Sequence, residues 1–349
     1  MRARARARAV LFMRSLLCVL CCVRRARIES SVHLPLHLQG GLYGEVCSGP
    51  AEFDSPHTTT LFKDYFQRKV AEVVAKYQPD VLYFDEKLQQ TMDDAHLLEV
   101  VSSFYNQAAK WNKGVALTYK GNDLHVNAGV LDVERGGFES TQNFTWQTGD
   151  SIDYDSWSWV DPPNLKNATL LIGELIDVVS KNGNLLLDIG PKSDGTIDDR
   201  VVSVLLRIGA WLRSNGMAIF KTTPWTHCCE GPTKIQPGGY HPWPLFTSTD
   251  FRFTTSDGAV FVTAFDFQHA AHSHNATYVV HSFGHLPVDV TDVTLVGGAI
   301  SRWWLNDAGL HICVESAPAL DDALVFRVHL GGASIEDIDA PTLMLRSAI

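Results

Sequence analysis

The sequence predicts an α/β protein built on a parallel sheet and followed by an all-β domain. Continuous apolar runs bounded by turn residues, at Val81–Asp85 and at residues 185–191, are typical of strands buried on both faces. Amphipathic helical stretches alternate with these runs, which is the order expected of a parallel sheet. After residue 226 the pattern changes to short apolar strands separated by Gly, Asp, Asn and Pro, which favours a sandwich.

Length and composition restrict the class of protein. The 349 residues allow one large and one small domain, and 45% hydrophobic residues suffice for a sizeable core. A net charge of -10 argues against a nucleic-acid surface. The cysteines lack the paired spacing of a zinc site, so we expect no metal and no cofactor. Cys47, Cys313 and the adjacent Cys228 and Cys229 could form one or two disulfides in a secretory compartment.

Residues 1–38 differ from the rest of the chain. Arg-Ala repeats precede a short apolar run at residues 16–23, which is too short to cross a bilayer. The segment is typical of a signal or transit peptide, or of a misjoined upstream exon, although Arg14 interrupts the run. We therefore predict three parts: an atypical segment at 1–38, the α/β domain at 39–226 and the β-sandwich at 227–349.

The elements of the α/β domain follow in order from apolar periodicity and helix-ending residues. Asp93 or Asp94 is the expected cap of the second helix, and Asn215-Gly216 the expected left-handed end of the last one. The predicted helices are 58–77, 93–112, 165–181 and 198–214, and the predicted strands are 41–44, Val81–Asp85, 115–119, 185–191 and 218–220. In the all-β part we expect strands at 251–253, 259–265, 278–281, 293–295 and 324–328.

A long stretch without a helix, residues 120–163, separates two of these strands. Connections of this length are usually functional or disordered. Its aromatic residues argue against disorder and fit either a surface that stacks on a sugar ring or a packed structural loop; they are Trp146, Tyr154, Trp157 and Trp159.

The position of Asp85 allows two interpretations. An acid at the carboxyl end of a buried parallel strand is where an α/β barrel places its catalytic groups. The alternative is that Asp85 caps the helix that begins near Asp93.

Five motifs that occur in order along the chain favour the catalytic interpretation of Asp85. Together they resemble an α-L-fucosidase of glycoside hydrolase family 29. They are YQPDVLYFD at 77–85, DVERG at 132–136, WQT at 146–148, DVVSKNGNLLLDIGP at 177–191 and WLRSNGMAIF at 211–220. The resemblance covers residues 41–226 closely and the β part loosely. It implies a (β/α)8 barrel of the TIM type with a C-terminal β-sandwich.

The resemblance also implies the reaction and its residues. A retaining exo-glycosidase would hydrolyse α-L-fucosyl linkages of oligosaccharides or glycoproteins, with Asp85 as nucleophile and Glu134 as acid/base. Glu139 and Glu86 are rival acids, and an ion pair with Arg135 or another neighbour is the alternative role of Glu134. Lys120 and Trp157 match family positions that contact the sugar, although a surface or core role is equally compatible with either.

Three departures from the family pattern bear on activity. Glu86 stands where the family has Gly, and Gln147 stands where many relatives have an acid. Only five or six strands are predicted between residues 41 and 220, whereas a closed barrel has about eight. We therefore expect an incomplete barrel, poor solubility and no activity of the chain as written, the alternative function being an inactive carbohydrate-binding remnant.

Three glycosylation sequons favour a secreted, lysosomal or vacuolar protein; they begin at Asn143, Asn167 and Asn275. We expect no membrane span and no nucleic-acid partner. The sequence is compatible with a homo-oligomer and does not indicate which fucosyl linkage is cleaved.

Overall fold

A computed structural model describes residues 31–35, 60–85, 88–265, 276–284, 289–318 and 322–331. The chain divides into two compact units. The first comprises the residues up to Glu134 together with Phe144–Gln147. The second comprises Arg135–Asn143 and the residues from Thr148 onward. The strand predicted at 41–44, Glu86 and the sequon at Asn275 lie outside the described residues.

A six-stranded sheet runs in the order β1 to β6, and the strand pairs from β1 to β5 are parallel. Its strands are β1 (Ser31–Pro35), β2 (Val81–Asp85), β3 (Ala116–Lys120), β4 (Val130–Asp132), β5 (Trp146–Ser151) and β6 (Gly183–Asp188). The α/β prediction is confirmed, and the described part of the chain supplies six strands to this sheet, fewer than the eight of a closed barrel. β1, β4 and β5 were not predicted: β1 lies within the segment that the sequence analysis set apart from the fold, and β4 and β5 lie within residues 120–163, which were interpreted as one long connection.

Among the described residues of the first unit, three helices accompany these strands: α1 (Thr60–Tyr77), α2 (Leu88–Thr91) and α3 (Asp94–Lys110). Asp93 caps α3 by accepting a hydrogen bond of 3.0 Å from the backbone N–H of His96, as predicted. The capping role proposed for Asp85 is therefore filled by Asp93. The core of this unit comprises apolar residues of α1, β2, α3 and β3; it includes Phe66, Val70, Leu82, Phe84, Val100, Phe104 and Leu117.

The second unit contains the helices α4 (Ala168–Ser180) and α5 (Asp199–Asn215). Each begins at a side-chain cap, Asn167 or Asp198. The left-handed end predicted at Gly216 is wrong, because Gly216 has φ -60 and starts a short 3₁₀ helix, Gly216–Ala218. The strand predicted at 218–220 is also wrong, since the N–H groups of Ile219 and Phe220 bond back to the Gly216 carbonyl.

Two antiparallel sheets form the β-sandwich predicted for the carboxyl part. One has the order β11-β14-β9-β8-β7 and the other β10-β13-β12. Their strands are β7 (Thr223–Glu230), β8 (Phe251–Ser256), β9 (Ala259–Ala264), β10 (Thr277–Val280), β11 (Asp289–Leu295), β12 (Ala299–Asn306), β13 (Gly309–Ser316) and β14 (Leu324–Gly331). The sequence analysis missed β7, β12 and β13, and its boundary at residue 226 falls inside β7.

One of the one or two disulfides predicted from the sequence is present. Cys228 and Cys229 are bonded to each other, while Cys313 is free and buried. Cys47 lies outside the described residues. Within the described ranges, no helix is long and apolar enough to span a bilayer. The same ranges contain no cluster of three potential metal ligands.

A buried acid on α4 gives the second unit an unusual pH sensitivity. Glu174 is fully buried, and neither carboxyl oxygen has a hydrogen-bond partner among the described residues. Burial, reinforced by the negative charge of Asp150, raises the pKa of Glu174 well above its usual range. The folded protein therefore retains a proton here that the unfolded chain releases near its ordinary pKa of about 4.3. As the pH rises above that value, the folded state loses stability.

Replacing Glu174 by Gln keeps the shape of the side chain and removes its titration. We expect E174Q to gain stability relative to the wild type as the pH rises from about 5 to about 8, because only the wild type binds the extra proton when folded. Urea unfolding followed by tryptophan fluorescence at both pH values measures the difference. The exposed Glu99 supplies the control, E99Q, which should follow the wild type. A constant difference between E174Q and wild type across this range would contradict the assignment.

Candidate active site

Charged side chains lie at the carboxyl ends of three adjacent parallel strands. Asp85 is the last residue of β2, Lys120 is the last of β3, and Glu134 follows the end of β4 by two residues. The register pairs Tyr83 with Thr118 and Lys120 with Asp132. Because parallel strands end at the same edge of a sheet, residues far apart in the sequence come together here.

Lys120 joins the two predicted catalytic carboxylates. Its Nζ lies 2.7 Å from Asp85 Oδ1 and 2.5 Å from Glu134 Oε2. The two oxygens are thus separated by no more than the sum of those distances, about 5.2 Å. The side chains of Asp85, Lys120 and Glu134 are 21%, 13% and 13% exposed, so all three are shielded but reachable from solvent.

The charge of Lys120 is maintained by its two partners. Burial alone would lower the pKa of this ammonium, but the hydrogen bonds and negative charges of Asp85 and Glu134 outweigh burial and raise it. Lys120 therefore stays protonated over the physiological pH range. It neutralises one of the two negative charges that the carboxylates bring into a small space.

A second layer of polar residues lies behind these side chains, on β2, β4 and the adjacent β5. Tyr83 Oη donates a hydrogen bond of 2.5 Å to Asp132 Oδ2, and Gln147 Nε2 donates one of 3.2 Å to Asp132 Oδ1. Burial and the charge of Asp132 raise the pKa of Tyr83, which therefore remains a donor. Burial also raises the pKa of Asp132, although these donors and Lys120 oppose the shift.

Sequence reasoning did not assign a role to Tyr83 or Asp132. The available signal was their spacing, since each precedes a predicted catalytic residue, Asp85 or Glu134, by two positions. Gln147 was noted as a departure, and the structure gives it a partner. An acid at position 147 would place a second carboxylate next to that of Asp132, and the two would repel each other. The amide of Gln147 instead donates a hydrogen bond to Asp132.

The residue after Glu134 begins the second unit and has its own contacts there. Arg135 adopts φ 49, and its Nη1 donates to the Tyr154 carbonyl at 2.9 Å. Its guanidinium lies 4.2 Å from the centre of the Trp157 ring. Gly136 is required at the next position, because a Cβ there would lie 1.9 Å from the carbonyl oxygen of Gly238.

The remaining predicted residues are placed as follows. Trp157 lies in the second unit with 37% of its surface exposed, and its role as a sugar-stacking wall stays a prediction. Glu139, the rival acid, also lies in the second unit; its side chain is 55% exposed and is 3.9 Å from Lys234. Of the four site residues predicted from the sequence, the structure therefore brings three together: Asp85, Glu134 and Lys120.

Comparison with protein families adds independent information. The profile of the family described as Alpha-L-fucosidase matches residues 44–217. The chain is 24% identical to Alpha-L-fucosidase of Dictyostelium discoideum over 218 residues, which is 61% of this chain and 44% of that protein. It is 30% identical to human Tissue alpha-L-fucosidase over 159 residues, which is 44% of this chain and 34% of that protein. The chain thus spans less than half the length of these curated relatives.

Solved structures show the same fold. An α-fucosidase of Thermotoga maritima in complex with fucose matches with a TM-score of 0.57 and 24% identity, covering 78% of this chain and 57% of that one. Alpha-L-fucosidase isoenzyme 1 from Paenibacillus thiaminolyticus matches with a TM-score of 0.60 and 20% identity, covering 81% and 66%. At these identities the likeness extends to the barrel-and-sandwich architecture alone.

Proposed function

Because the chain belongs to the α-L-fucosidase family, we propose that it hydrolyses α-L-fucosyl linkages with retention of configuration, using Asp85 and Glu134. The observation that carries this proposal is the pair of carboxylates held by Lys120 at the ends of adjacent strands. The substrates would be fucosylated oligosaccharides or glycoproteins, as the names of the relatives suggest.

The separation of the two carboxylates supports retention over inversion. Retaining glycosidases hold their carboxyl groups about 5–5.5 Å apart, whereas inverting enzymes need about 6.5–9.5 Å to admit a water molecule. Asp85 Oδ1 and Glu134 Oε2 are at most about 5.2 Å apart, which is shorter than the separation that inverting enzymes need.

Each carboxylate has a distinct task in this mechanism. In the first step Asp85 Oδ1 attacks the anomeric carbon, and the bond from that carbon to the aglycone oxygen breaks. Protonated Glu134 donates its proton to the departing oxygen, so the aglycone leaves as an alcohol and the sugar remains esterified to Asp85. In the second step Glu134 removes a proton from water, which attacks the anomeric carbon and releases fucose and the Asp85 carboxylate.

Removal of the nucleophile tests this assignment. Turnover of an aryl α-L-fucoside by the wild type is measured first, because it would overturn the expectation that the chain as written is inactive. Relative to that turnover, we expect D85A to lower kcat by about three orders of magnitude or more. Sodium azide should restore part of the turnover and yield a fucosyl azide, because the small anion fits where the carboxylate was. The exposed Asp94 offers a matched control, D94A, which should keep wild-type activity. Near-normal turnover by D85A would refute the proposal, and fucose binding without turnover by the wild type would indicate the inactive carbohydrate-binding alternative.

The acid/base role of Glu134 predicts a dependence on the leaving group. E134Q should slow substrates with alkyl or sugar aglycones about 10²–10⁴-fold, since their departure needs protonation. Nitrophenyl fucosides, which leave unassisted, should lose far less in the first step. Steady-state kinetics on both substrate classes, compared with E139Q as control, measure the gap. Equal losses on both classes for E134Q, or a gap that appears in E139Q instead, would reject Glu134 as the acid.

A secretory or lysosomal compartment is consistent with this function. Two sequon asparagines, Asn143 and Asn167, are exposed, and Asn167 uses only its side-chain oxygen to cap α4. The human relatives include a protein named Plasma alpha-L-fucosidase, 30% identical over 166 residues. After expression in a secreting cell, removal of N-glycans should increase the electrophoretic mobility of the protein; unchanged mobility would contradict this location.

A further inference from the structure

Exposed aromatic rings are concentrated in one segment of the second unit, residues 153–164, which we call the aromatic loop. Tyr154 and Trp157 are 46% and 37% exposed, and Trp159 is half-buried. Val160 in the same loop is 38% exposed. Single exposed apolar side chains are ordinary, but a group of them in one place is typical of a binding surface. The proposed mechanism makes no use of Tyr154 or Trp159.

Hydrogen bonds to one buried carboxylate hold the aromatic loop in shape. Asp153 Oδ1 accepts from the backbone N–H groups of Asp155 at 2.8 Å and Ser156 at 3.0 Å. Asp153 Oδ2 accepts from the backbone N–H of Asn164 at 2.7 Å, at the far end of the loop. The backbone that carries the rings is therefore fixed before any ligand arrives, which lowers the entropy cost of binding.

A cation lies against each of the three rings. The pairs, with the distance from the cation to the ring centre, are Arg135 and Trp157 at 4.2 Å, Lys166 and Tyr154 at 5.8 Å, and Lys192 and Trp159 at 5.2 Å. All three distances are within the range of a cation–π interaction. Each ring is thus oriented by a cation, while part of its surface stays open to solvent.

The charges of these cations are already compensated. Arg135 and Lys166 are paired with Asp150, and Lys192 is paired with Asp198. Asp155 and Asp161 add exposed acids to the loop itself. An anionic ligand would therefore meet carboxylates at this surface, whereas the hydroxyl groups of a neutral ligand can donate hydrogen bonds to them.

A small pocket opens between the two indoles of the aromatic loop. Trp157 and Trp159 line it together with the polar residues Asp153, Ser156 and Ser158. Its volume of about 10 Å³ for the centre of a water molecule admits one water. The pocket is therefore sized for a single hydroxyl group of a ligand, whose remaining atoms must lie on the exposed rings.

We propose that the aromatic loop binds a neutral pyranose unit of an oligosaccharide, with Trp157 stacked on the sugar and Arg135 as the residue that positions Trp157. A pyranose combines an apolar face of C–H groups with a rim of uncharged hydroxyls. The indole covers the apolar face, the small pocket receives one hydroxyl, and the exposed acids accept from others. The residues that carry this inference all belong to the second unit, so it goes beyond the proposed hydrolysis and does not depend on it.

Titration with lactose, a neutral disaccharide that carries no fucose, tests the proposal without any need for turnover. W157A should weaken lactose binding about threefold to tenfold, the range that one aromatic stacking contact contributes. The matched control is Y77A, because Tyr77 is also exposed, at 58%, and has Lys76 Nζ 5.1 Å from its ring centre. Y77A should bind lactose like the wild type.

A second measurement uses the wild-type protein, so the test does not depend on the folding of W157A. The NMR signal of the Trp157 indole N–H, identified by its loss in W157A, should shift when lactose saturates the protein.

The positioning role of Arg135 has its own test. R135M removes the cation from the Trp157 ring and should weaken lactose binding, whereas R135K keeps a cation and should recover part of the affinity. Equal affinities of R135M and R135K would refute a role of this charge in positioning Trp157.

The outcomes separate this inference from the proposed hydrolysis. D85A should bind lactose like the wild type, and a loss of affinity in D85A would show that lactose occupies the proposed catalytic site, which overturns the proposal. No binding by the wild type, or an unchanged affinity in W157A, overturns it even if the protein hydrolyses fucosides. Tighter binding of a sulfated lactose than of lactose contradicts the neutral ligand class. Lactose binding that depends on Trp157 supports the inference even if the protein hydrolyses nothing.

Discussion

The candidate site depends on the parallel pairing of β2, β3 and β4. Backbone hydrogen bonds between these strands bring Asp85, Lys120 and Glu134 to one edge, although 49 positions separate the first residue from the last. Two carboxylates this close repel each other in a shielded place. The ammonium of Lys120 stabilises the arrangement, because it lies within hydrogen-bond distance of both carboxylates.

The second layer of the site shows how the sheet holds its charges. Asp132 is nearly fully buried, and a buried carboxylate without partners would be costly. Tyr83 and Gln147 each donate a hydrogen bond to it; the pairing of β4 with β5 places Gln147, and the pairing of β2 with β3 places Tyr83. Glu174 of the second unit is the contrasting case, because it has no such donors and keeps its proton instead. Burial thus raises the pKa of both acids, and at Asp132 the two hydrogen-bond donors oppose that shift.

Much of the fold was predictable, because local rules and tertiary packing agree in most elements. The apolar run at Val81–Asp85 and the cap at Asp93 gave correct elements from short stretches of sequence. The prediction failed at Gly216, where the glycine takes right-handed dihedral angles and the backbone closes on itself. It also missed β12, whose apolar alternation is interrupted by register shifts near Ile300. β13 carries a clear alternation at Leu310, Ile312 and Val314, so its signal was available.

The site was less predictable than the fold. Asp85, Glu134 and Lys120 were identified through family motifs, and their contacts required the register of three strands, which no local pattern specifies. Tyr83 and Asp132 look like ordinary strand residues until that register is known.

The stereochemistry of the first product tests the central claim most directly. Proton NMR during hydrolysis of an aryl α-L-fucoside resolves the two anomers of released fucose before they interconvert. A carboxylate pair at the spacing that Lys120 sets predicts that α-L-fucose forms first and the β anomer appears later by mutarotation. If β-L-fucose forms first, the reaction inverts configuration, and the assignment of Asp85 and Glu134 as a closely spaced retaining pair is contradicted.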